Sequence, residues 1–345
     1  MPAVVTTRRR RLFGLLVLAL LLLCAVAASI SLGSRLLPLH TVWDALTCPG
    51  GLPLSCPADG TAEQIVRELR LPRTGLALIT GLALGMAGAL IQGYTRNPLA
   101  DAGLLGINAG AAFLAALSIH LLALTSPAQF IWFAFAGALL AGAVVFGVSS
   151  LGGGKASPLS LVLAGAAVTA FLQAMTNVVV LLDSSALDAY RFWVVGDVAG
   201  HDGSVFRQVL PFLIAGAILA VIAGPGLNLL QLGDDVALGL GVDLGRTRAL
   251  GLTAVVLLAG GATAAVGPIA FLGLIVPHLA RGITGPDYRW LLPYSGLIGA
   301  ITLLIADTAG RVIAPPGEIQ AGVMLAAIGA PFFILLVRRR KLVSL

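Results

Sequence analysis

Long apolar runs are the feature that most limits what this chain can fold into. A helix needs about 20 apolar residues to cross the hydrocarbon core of a bilayer. About ten stretches approach or exceed that length, at 12–33, 74–93, 98–123, 128–150, 158–182, 205–225, 247–267, 268–283, 291–310 and 319–337. Hydrophobic residues make up 58% of the 345 positions and charged residues only 10%, so a water-soluble fold would lack the charges to cover this apolar surface. The sequence therefore predicts an all-α integral membrane protein with about ten transmembrane helices, in a single domain over 1–345.

The basic residues predict the orientation of these spans. Arginine and lysine cluster in the two tails, 1–11 and 338–345. By the positive-inside rule both tails are cytoplasmic, which requires an even number of spans. The polar segment 34–73 is then extracytoplasmic and the segment 226–248 is cytoplasmic. Because the net charge of +6 is concentrated in the tails, the pattern does not favour a nucleic-acid partner.

Two of the ten stretches admit another interpretation. The first has a basic flank, as a signal peptide has, but its apolar core exceeds the roughly 7–15 residues of such a peptide. The eighth is short and is separated from the seventh only by Gly267 and Pro268, so the two together also fit one kinked helix. The total would then be odd and the tails would lie on opposite sides, against their charges.

The segment 34–73 carries a cysteine pair, Cys48 and Cys56. Because disulfides persist outside the cytoplasm, we expect the pair to be bridged. Two free thiols in an outer loop are the alternative.

A short repeat relates the two halves of the sequence. Residues 98–104 read Pro-Leu-Ala-Asp-Ala-Gly-Leu, and residues 268–274 read Pro-Ile-Ala-Phe-Leu-Gly-Leu. Each begins a short helix after a glycine-rich one, and the two helices are the third and the eighth spans. The offset of five points them in opposite directions, which is typical of the inverted-topology repeats of transport proteins. We assign the repeats to spans 2–5 and 7–10 and expect the translocation path near their interface.

Catalytic motifs are missing from the sequence. The run 152–157 (Gly-Gly-Gly-Lys-Ala-Ser) lacks the first glycine of a phosphate loop and the Ser or Thr that follows its lysine. We therefore predict that the chain is not an enzyme and holds no metal or cofactor, and that any ATP and Mg bind to partner subunits. No acidic or histidine residue lies clearly at mid-membrane, which argues against a proton- or sodium-coupled carrier.

Carboxamide side chains in the spans are the candidates for a polar path. Such groups either line a path or form hydrogen bonds between helices. They are Gln92, Asn97, Asn108, Gln173 and Asn177.

Arginines on the outer side break the charge rule. Arg70 and Arg73 precede the second span, and Arg311 follows the ninth. Pairing with acids of an external protein would explain them. The alternative is local neutralisation, because Glu68 is nearby and Asp307 stands four residues before Arg311 on the same helical face.

The cytoplasmic segment has a candidate contact site for an energy-supplying subunit. Residues 233–246 form its longest polar stretch and fit one or two short helices. An ordinary solvated loop is the alternative.

Several of these runs together resemble a known family. The runs 70–73 (RLPR), 88–92 (GALIQ), 96–106 (RNPLADAGLLG), 267–278 (GPIAFLGLIVPH) and 329–332 (GAPF) are similar to the iron-siderophore and vitamin B12 permease family, FecCD. The resemblance extends from about residue 12 to 340. It implies a type II ATP-binding-cassette importer in the bacterial inner membrane, made of two ten-helix permease subunits, two cytoplasmic ATPases and an extracytoplasmic substrate-binding protein.

The resemblance also assigns roles to residues. Arg70, Arg73 and Arg311 match positions that contact the binding protein. The coupling segment, which contacts the ATPases in this family, includes Asp234, Asp235, Gly239, Gly241 and Arg246. The cytoplasmic gate matches the region of Ser157, Pro158 and Leu159, although Pro158 and Leu159 replace small hydroxyl residues there.

Within the family the sequence is most similar to the branch that carries ferric enterobactin. The cysteine pair, the run 191–193 (Arg-Phe-Trp) and the Gly-Gly-Gly turn carry this likeness. It implies a catecholate ferric siderophore as substrate and a sister chain, not an identical copy, as second permease. Haem, vitamin B12 and other iron chelates are the alternative substrates, and a stand-alone carrier or a non-transporting membrane subunit are the alternative functions.

Overall fold

Ten apolar helices make up most of the structure, a computed structural model that describes residues 8–33, 37–47, 61–124, 126–150, 158–201 and 203–338. They are α1 (Arg8–Ser31), α2 (Leu71–Thr95), α3 (Ile107–Leu122), α4 (Pro127–Ser150), α5 (Pro158–Leu182), α6 (Gly203–Leu230), α7 (Leu244–Val266), α8 (Leu272–Thr284), α9 (Tyr288–Ile313) and α10 (Ala321–Arg338). Seven are long and apolar enough to cross a membrane, and α3, α8 and α10 are shorter apolar helices. Each helix coincides with one predicted stretch, and α7 and α8 are separate helices.

Short helices occupy parts of the chain that were predicted as polar connections. Within 34–73 the described residues include Leu39–Leu46 and Thr61–Gln64, and a π-helical turn, Ile65–Arg70, leads directly into α2. Pro72 falls in the first turn of α2, where its missing N–H is tolerated. A further helix, Ser184–Trp193, lies between α5 and α6. The second span is therefore longer than its apolar core.

The two short helices of the repeat begin later than predicted. The stretch 98–106 is a loop with a 3-10 turn, Ala102–Leu105, and Gly106 (φ 72°) precedes α3. Asp101 accepts a hydrogen bond from the amide of Gly103, so it caps the turn and does not extend a helix. In the second half α8 begins after Phe271, which also has a left-handed φ of 65°. Both short helices thus start from a left-handed residue, although their distances from the preceding proline differ.

Helix packing follows the inverted repeat. The two leading helices, α2 and α7, contact each other. α2 packs on α8 and α9, and correspondingly α7 packs on α3 and α4. Contacts within each repeat match as well, since α3 packs on α4 and α8 packs on α9. The centre of the bundle is therefore formed by α2 and α7, the most buried of the seven long spans.

Glycine allows the backbones of α2 and α9 to touch. A Cβ atom added to Gly81 would lie 2.5 Å from the carbonyl oxygen of Gly299, and one added to Gly85 would overlap the carbonyl of Ser295. Gly88 meets Gly273 of α8 in the same way. Because lipid supplies no hydrophobic drive between helices, close approach of small residues is a main source of their association.

We expect Gly85→Val to destabilise the bundle. The added side chain would force α2 and α9 apart, and overpacking of this kind costs roughly 1–3 kcal/mol. The thermal midpoint of unfolding in detergent, measured by size-exclusion chromatography after heating, should fall. Gly147→Val is the matched control, because a Cβ at Gly147 of α4 meets no atom within 4 Å; equal midpoints for the two variants would contradict this account of the packing.

Candidate functional site

An ion cluster lies at the end of the bundle where α1 ends and α2 begins. Arg73 donates to Asp307 from Nε (2.9 Å) and Nη2 (2.7 Å), and its Nη1 donates to Glu318 at 2.6 Å. Nη2 of Arg311 lies 3.0 Å from the second oxygen of Asp307. The carboxylate of Asp307 is fully buried, so the two arginines compensate a charge that water does not reach.

Arginines of the same cluster bind the last carbonyls of α1. Arg70 Nη1 donates to the carbonyls of Ile30 (2.6 Å) and Ser31 (2.8 Å). Arg311 Nη1 donates to the carbonyl of Ser29 at 3.0 Å and to that of Leu32 at 3.2 Å. A helix end leaves its last carbonyls without intrahelical partners and carries a partial negative charge, so these cations stabilise it.

The three predicted docking residues are therefore close together and bonded within the chain. The predicted local neutralisation of Arg311 by Asp307 is present. Arg70 and Arg311 are buried, whereas Arg73 and Glu318 keep 12% and 36% of their side chains exposed. The docking role itself stays a prediction.

The predicted coupling segment lies at the opposite end of the bundle and is shorter than 226–248. α6 continues to Leu230 and α7 begins at Leu244, so only 231–243 lies between them, with the helix Asp234–Gly239 at its centre. The apolar stretch predicted for α6 ended at residue 225, whereas the helix continues past Pro225 to Leu230.

Asp234 fixes this short helix to both repeats. Its two oxygens accept hydrogen bonds from Arg96 and Arg248, each at 2.7 Å. Arg96 caps the end of α2 with a φ of 48°, and Arg248 lies in the first turns of α7. Although partial burial opposes ionisation, the hydrogen bond and charge of Arg248, and then those of Arg96, hold the pKa of the Asp234 carboxyl below its usual range.

Apolar side chains are exposed on the same helix and on Leu240, the residue that follows it. Val236 is 50% exposed and Leu240 58%, and Leu238 is also exposed. Of the other predicted coupling residues, Asp235, Gly239, Gly241 and Arg246 are exposed as well, and Gly241 provides the left-handed turn (φ 82°) between the helix and α7. Exposed apolar side chains on a helix that ion pairs hold in place are typical of a surface that binds another protein.

Three of the five candidate path amides are bonded inside the chain. Gln92 is buried and donates to the carbonyls of Gly273 and Leu274 of α8 at 3.3 and 3.2 Å. Asn108 accepts from the hydroxyl of Thr263 at 2.9 Å. Asn97 accepts from the amide of Leu99 in the loop after α2. For these three the predicted alternative, hydrogen bonds that hold the structure together, is what we observe.

The other two amides lie together on an exposed face of α5. Gln173 and Asn177 are four residues apart and both exposed, and Ala166 and Ala170 continue the same face. An uncovered carboxamide inside a bilayer is costly. This α5 face is therefore suited to cover by another subunit or to a water-filled path.

The remaining predicted residues are described only in part. Cys48, Cys56 and Ser157 lie outside the described residues. Pro158 opens α5, and Leu159 is 68% exposed. The described residues therefore bring the predicted docking residues together, and likewise the coupling residues, but they do not gather the path residues.

A cavity near the ion-cluster end was not predicted. Its volume is about 290 Å³ and its lining includes Phe130, Phe192, Trp193, Asp197 and His201. Burial raises the pKa of the Asp197 carboxyl, with the amide of Ala199 and the charge of Arg73 acting against that effect. The run 191–193 was noted only for its family likeness, and no spacing in the sequence indicated that it meets Phe130 of α4.

Comparisons with known proteins agree with the arrangement. A family model described as the FecCD transport family matches residues 20–339. The ferric enterobactin transport system permease protein FepD of Escherichia coli (strain K12) is 46% identical, covering 98% of each chain. A probable siderophore transport system permease protein of Bacillus subtilis (strain 168), YfiZ, is 39% identical over 94% of this chain and 95% of its own. A solved structure, described as a metal-chelate type ABC transporter in an inward-facing conformation, superposes with a TM-score of 0.80 at 27% identity, over 94% of this chain and 98% of that one.

We expect Asp234→Asn to loosen the segment 231–243. The variant removes the charge that Arg96 and Arg248 share, so hydrogen-exchange protection of the segment should fall. In the wild-type chain the folded-state pKa of Asp234 is depressed, so its stabilisation is present at neutral pH and is lost as the pH falls below about 4. Asp235→Asn is the control, because that exposed neighbour loses the same charge. Equal protection in both variants would refute the anchoring role of Asp234.

Proposed function

The chain belongs to the FecCD transport family, and we propose that it is the permease subunit of an ATP-binding-cassette importer that takes up a ferric siderophore. The observation that carries the proposal is the exposed apolar edge of Asp234–Gly239, because a stand-alone carrier would have no use for it. The names of the enterobactin and siderophore permeases described above support a siderophore as cargo and favour a catecholate one.

We further propose that the protein lies in the inner membrane of a bacterium. The end of the bundle that carries the helix Asp234–Gly239, and both termini, face the cytoplasm.

Coupling to ATP starts at this short helix. Two cytoplasmic ATPase subunits bind ATP and Mg and hydrolyse the nucleotide, and each accepts the coupling helix of one permease in a surface cleft. Val236, Leu238 and Leu240 enter that cleft. Because Asp234 links the helix to Arg96 of α2 and Arg248 of α7, a displacement of the ATPase acts on the leading helix of each repeat at once. Such rigid-body movement is how inverted-repeat transporters alternate access.

The translocation path lies along the exposed face of α5. A second permease subunit, for which we favour a sister chain, covers this face, and Gln173 and Asn177 line the space between the two. Pro158 and Leu159 lie at the cytoplasmic start of α5, and we assign them to the gate that closes the path on the cytoplasmic side. Iron crosses inside its chelator, so the chain forms no bond to it; among the described residues, no group of three or more Asp, Glu, His or Cys side chains is arranged to hold a metal ion.

Docking of the substrate-binding protein takes place at the ion cluster. Arg73 is the partly exposed arginine of the cluster, so a carboxylate of an external protein can reach its guanidinium. Glu318 is the exposed acid of the cluster and occupies Nη1 of Arg73. We propose that a carboxylate of the binding protein takes its place, while Asp307 keeps its bonds to Arg73.

Val236→Glu should abolish association with the ATPase and ATP-dependent uptake. A buried carboxylate in the cleft would have no partner, and an unpaired buried charge is strongly destabilising. Copurification of the ATPase and uptake of labelled ferric enterobactin into vesicles measure the two effects. Leu187→Glu is the control, since Leu187 is also exposed (43%) but lies at the other end of the bundle. Retained association in Val236→Glu, or uptake without any ATPase, would refute the proposal.

Glu318→Gln should tighten binding of the substrate-binding protein, by about threefold if one competing charge at a partly exposed site contributes ~0.6 kcal/mol. The variant removes the acid that competes for Arg73 and leaves the buried Asp307 untouched. Titration of the binding protein onto the permease in nanodiscs measures the affinity. Glu68→Gln removes an exposed acid at the same end and should leave the affinity unchanged. An unchanged or weakened affinity for Glu318→Gln would mean that docking does not use this guanidinium.

A further inference from the structure

Two adjoining clefts lie where α1 begins and the turn between α8 and α9 ends. The first has a volume of about 460 Å³ and is lined by Arg8, Arg11, Leu15, Arg289, Trp290 and Pro293. The second, of about 550 Å³, includes Arg11, Arg289, Arg281 and Asp287 in its lining. Arg11 and Arg289 belong to both, so the clefts form one basic groove at the end that carries the coupling helix.

Tight packing between α1 and α9 fixes the walls of this groove. Tyr294 donates a hydrogen bond from its hydroxyl to the carbonyl of Arg11 at 2.6 Å. A Cβ at Gly14 would overlap that same hydroxyl. Arg11 in turn donates to the carbonyl of Thr284 at the end of α8, at 2.9 Å. The groove is therefore a property of the folded bundle.

A buried arginine in the groove has unused hydrogen-bonding capacity. Only 2% of Arg281 is exposed, and its Nη1 donates to Gln92 at 3.3 Å. Within the described part of the chain its Nη2 has no partner at good hydrogen-bond geometry, and the group beside the guanidinium is the hydroxyl of Tyr288. A buried charged donor without an acceptor is costly. A ligand that brings an anionic oxygen into the groove would remove that cost.

The charges and the apolar surface of the groove together define the ligand. The described lining of the two clefts includes four arginines, Arg8, Arg11, Arg281 and Arg289, and one acid, Asp287, whose carboxylate is 3.7 Å from Arg11. Next to them, Leu15 and Pro293 continue the groove along the apolar lengths of α1 and α9. The indole of Trp290 lies between the two regions, with the guanidinium of Arg11 5.7 Å from its ring centre. Trp at such a boundary is typical of the membrane–water interface.

We propose that this groove binds one anionic phospholipid of the adjacent leaflet, with its phosphate among Arg11, Arg281 and Arg289 and an acyl chain along Leu15 and Pro293. Basic pockets between transmembrane helices at this interface are suited to such headgroups. A free phosphate would satisfy the arginines equally well but would leave the apolar part of the groove unused. The inference concerns lipid and not cargo, so it stands independently of the siderophore assignment.

The test uses the full-length chain in phosphatidylcholine nanodiscs that contain rising fractions of phosphatidylglycerol. The thermal midpoint should rise to a plateau, and native mass spectrometry should detect one retained phosphatidylglycerol. Arg8 and Arg289 are exposed, so the double variant Arg8→Gln/Arg289→Gln should fold. The double variant should need about 25 times more phosphatidylglycerol than the wild-type chain to reach half of the rise in midpoint. Each basic residue lost near an anionic lipid surface weakens lipid binding about fivefold, and two are lost.

The control carries the same charge change at the other end of the bundle, in Arg191→Gln/Arg207→Gln, and should respond to phosphatidylglycerol as the wild-type chain does. Inorganic phosphate added to pure phosphatidylcholine nanodiscs should leave the midpoint unchanged. The proposal is overturned if the groove variant responds like the control, if the wild-type chain shows no preference for phosphatidylglycerol, or if inorganic phosphate alone reproduces the rise.

Discussion

Contact between the backbones of α2 and α9 is the constraint on which the rest of the bundle depends. Glycines at 81, 85 and 299 remove the side chains that would keep the two helices apart, and in lipid such close packing replaces the hydrophobic drive. Because α2 also packs on α7 and α8, one helix positions the centre of both repeats. The same helix begins beside Arg70 and Arg73 and ends at Arg96, so the two polar ends of the molecule are joined by a single rigid element.

Both ends use arginine for the same physical task. At one end Arg70 and Arg311 bind the carbonyls that terminate α1, and at the other Arg96 binds the carbonyl of Leu230 at the end of α6. A helix end near the membrane has orphan carbonyls and a partial negative charge, and a guanidinium satisfies both. Asp307 forms ion pairs with Arg73 and Arg311 at the first end, and Asp234 forms ion pairs with Arg96 and Arg248 at the second. The arginines that looked misplaced by the positive-inside rule thus also have partners within the chain.

The sequence predicted the spans well because hydrophobic length is a local property. It also revealed the repeat, since Pro98 and Pro268 begin similar runs, and the Asp307–Arg311 pair, since those residues are four apart in one helix. It could not reveal that Arg73 bonds to Asp307 and Glu318, because those partners are more than 230 residues away. Nor could it separate Gln92 from Gln173: the two amides are chemically alike, and only the packing of their helices decides that one is buried and the other exposed.

The exposed amides of α5 have a consequence for how the protein is made. If a second subunit covers this face, as we propose, a newly inserted chain presents Gln173 and Asn177 toward hydrocarbon until that subunit binds, and each uncovered carboxamide raises the free energy of the unassembled state. Assembly removes the penalty. Membrane quality-control proteases that recognise polar faces within the bilayer would therefore discriminate against unassembled copies, and the stripe would keep the subunits in fixed proportion without any separate regulator.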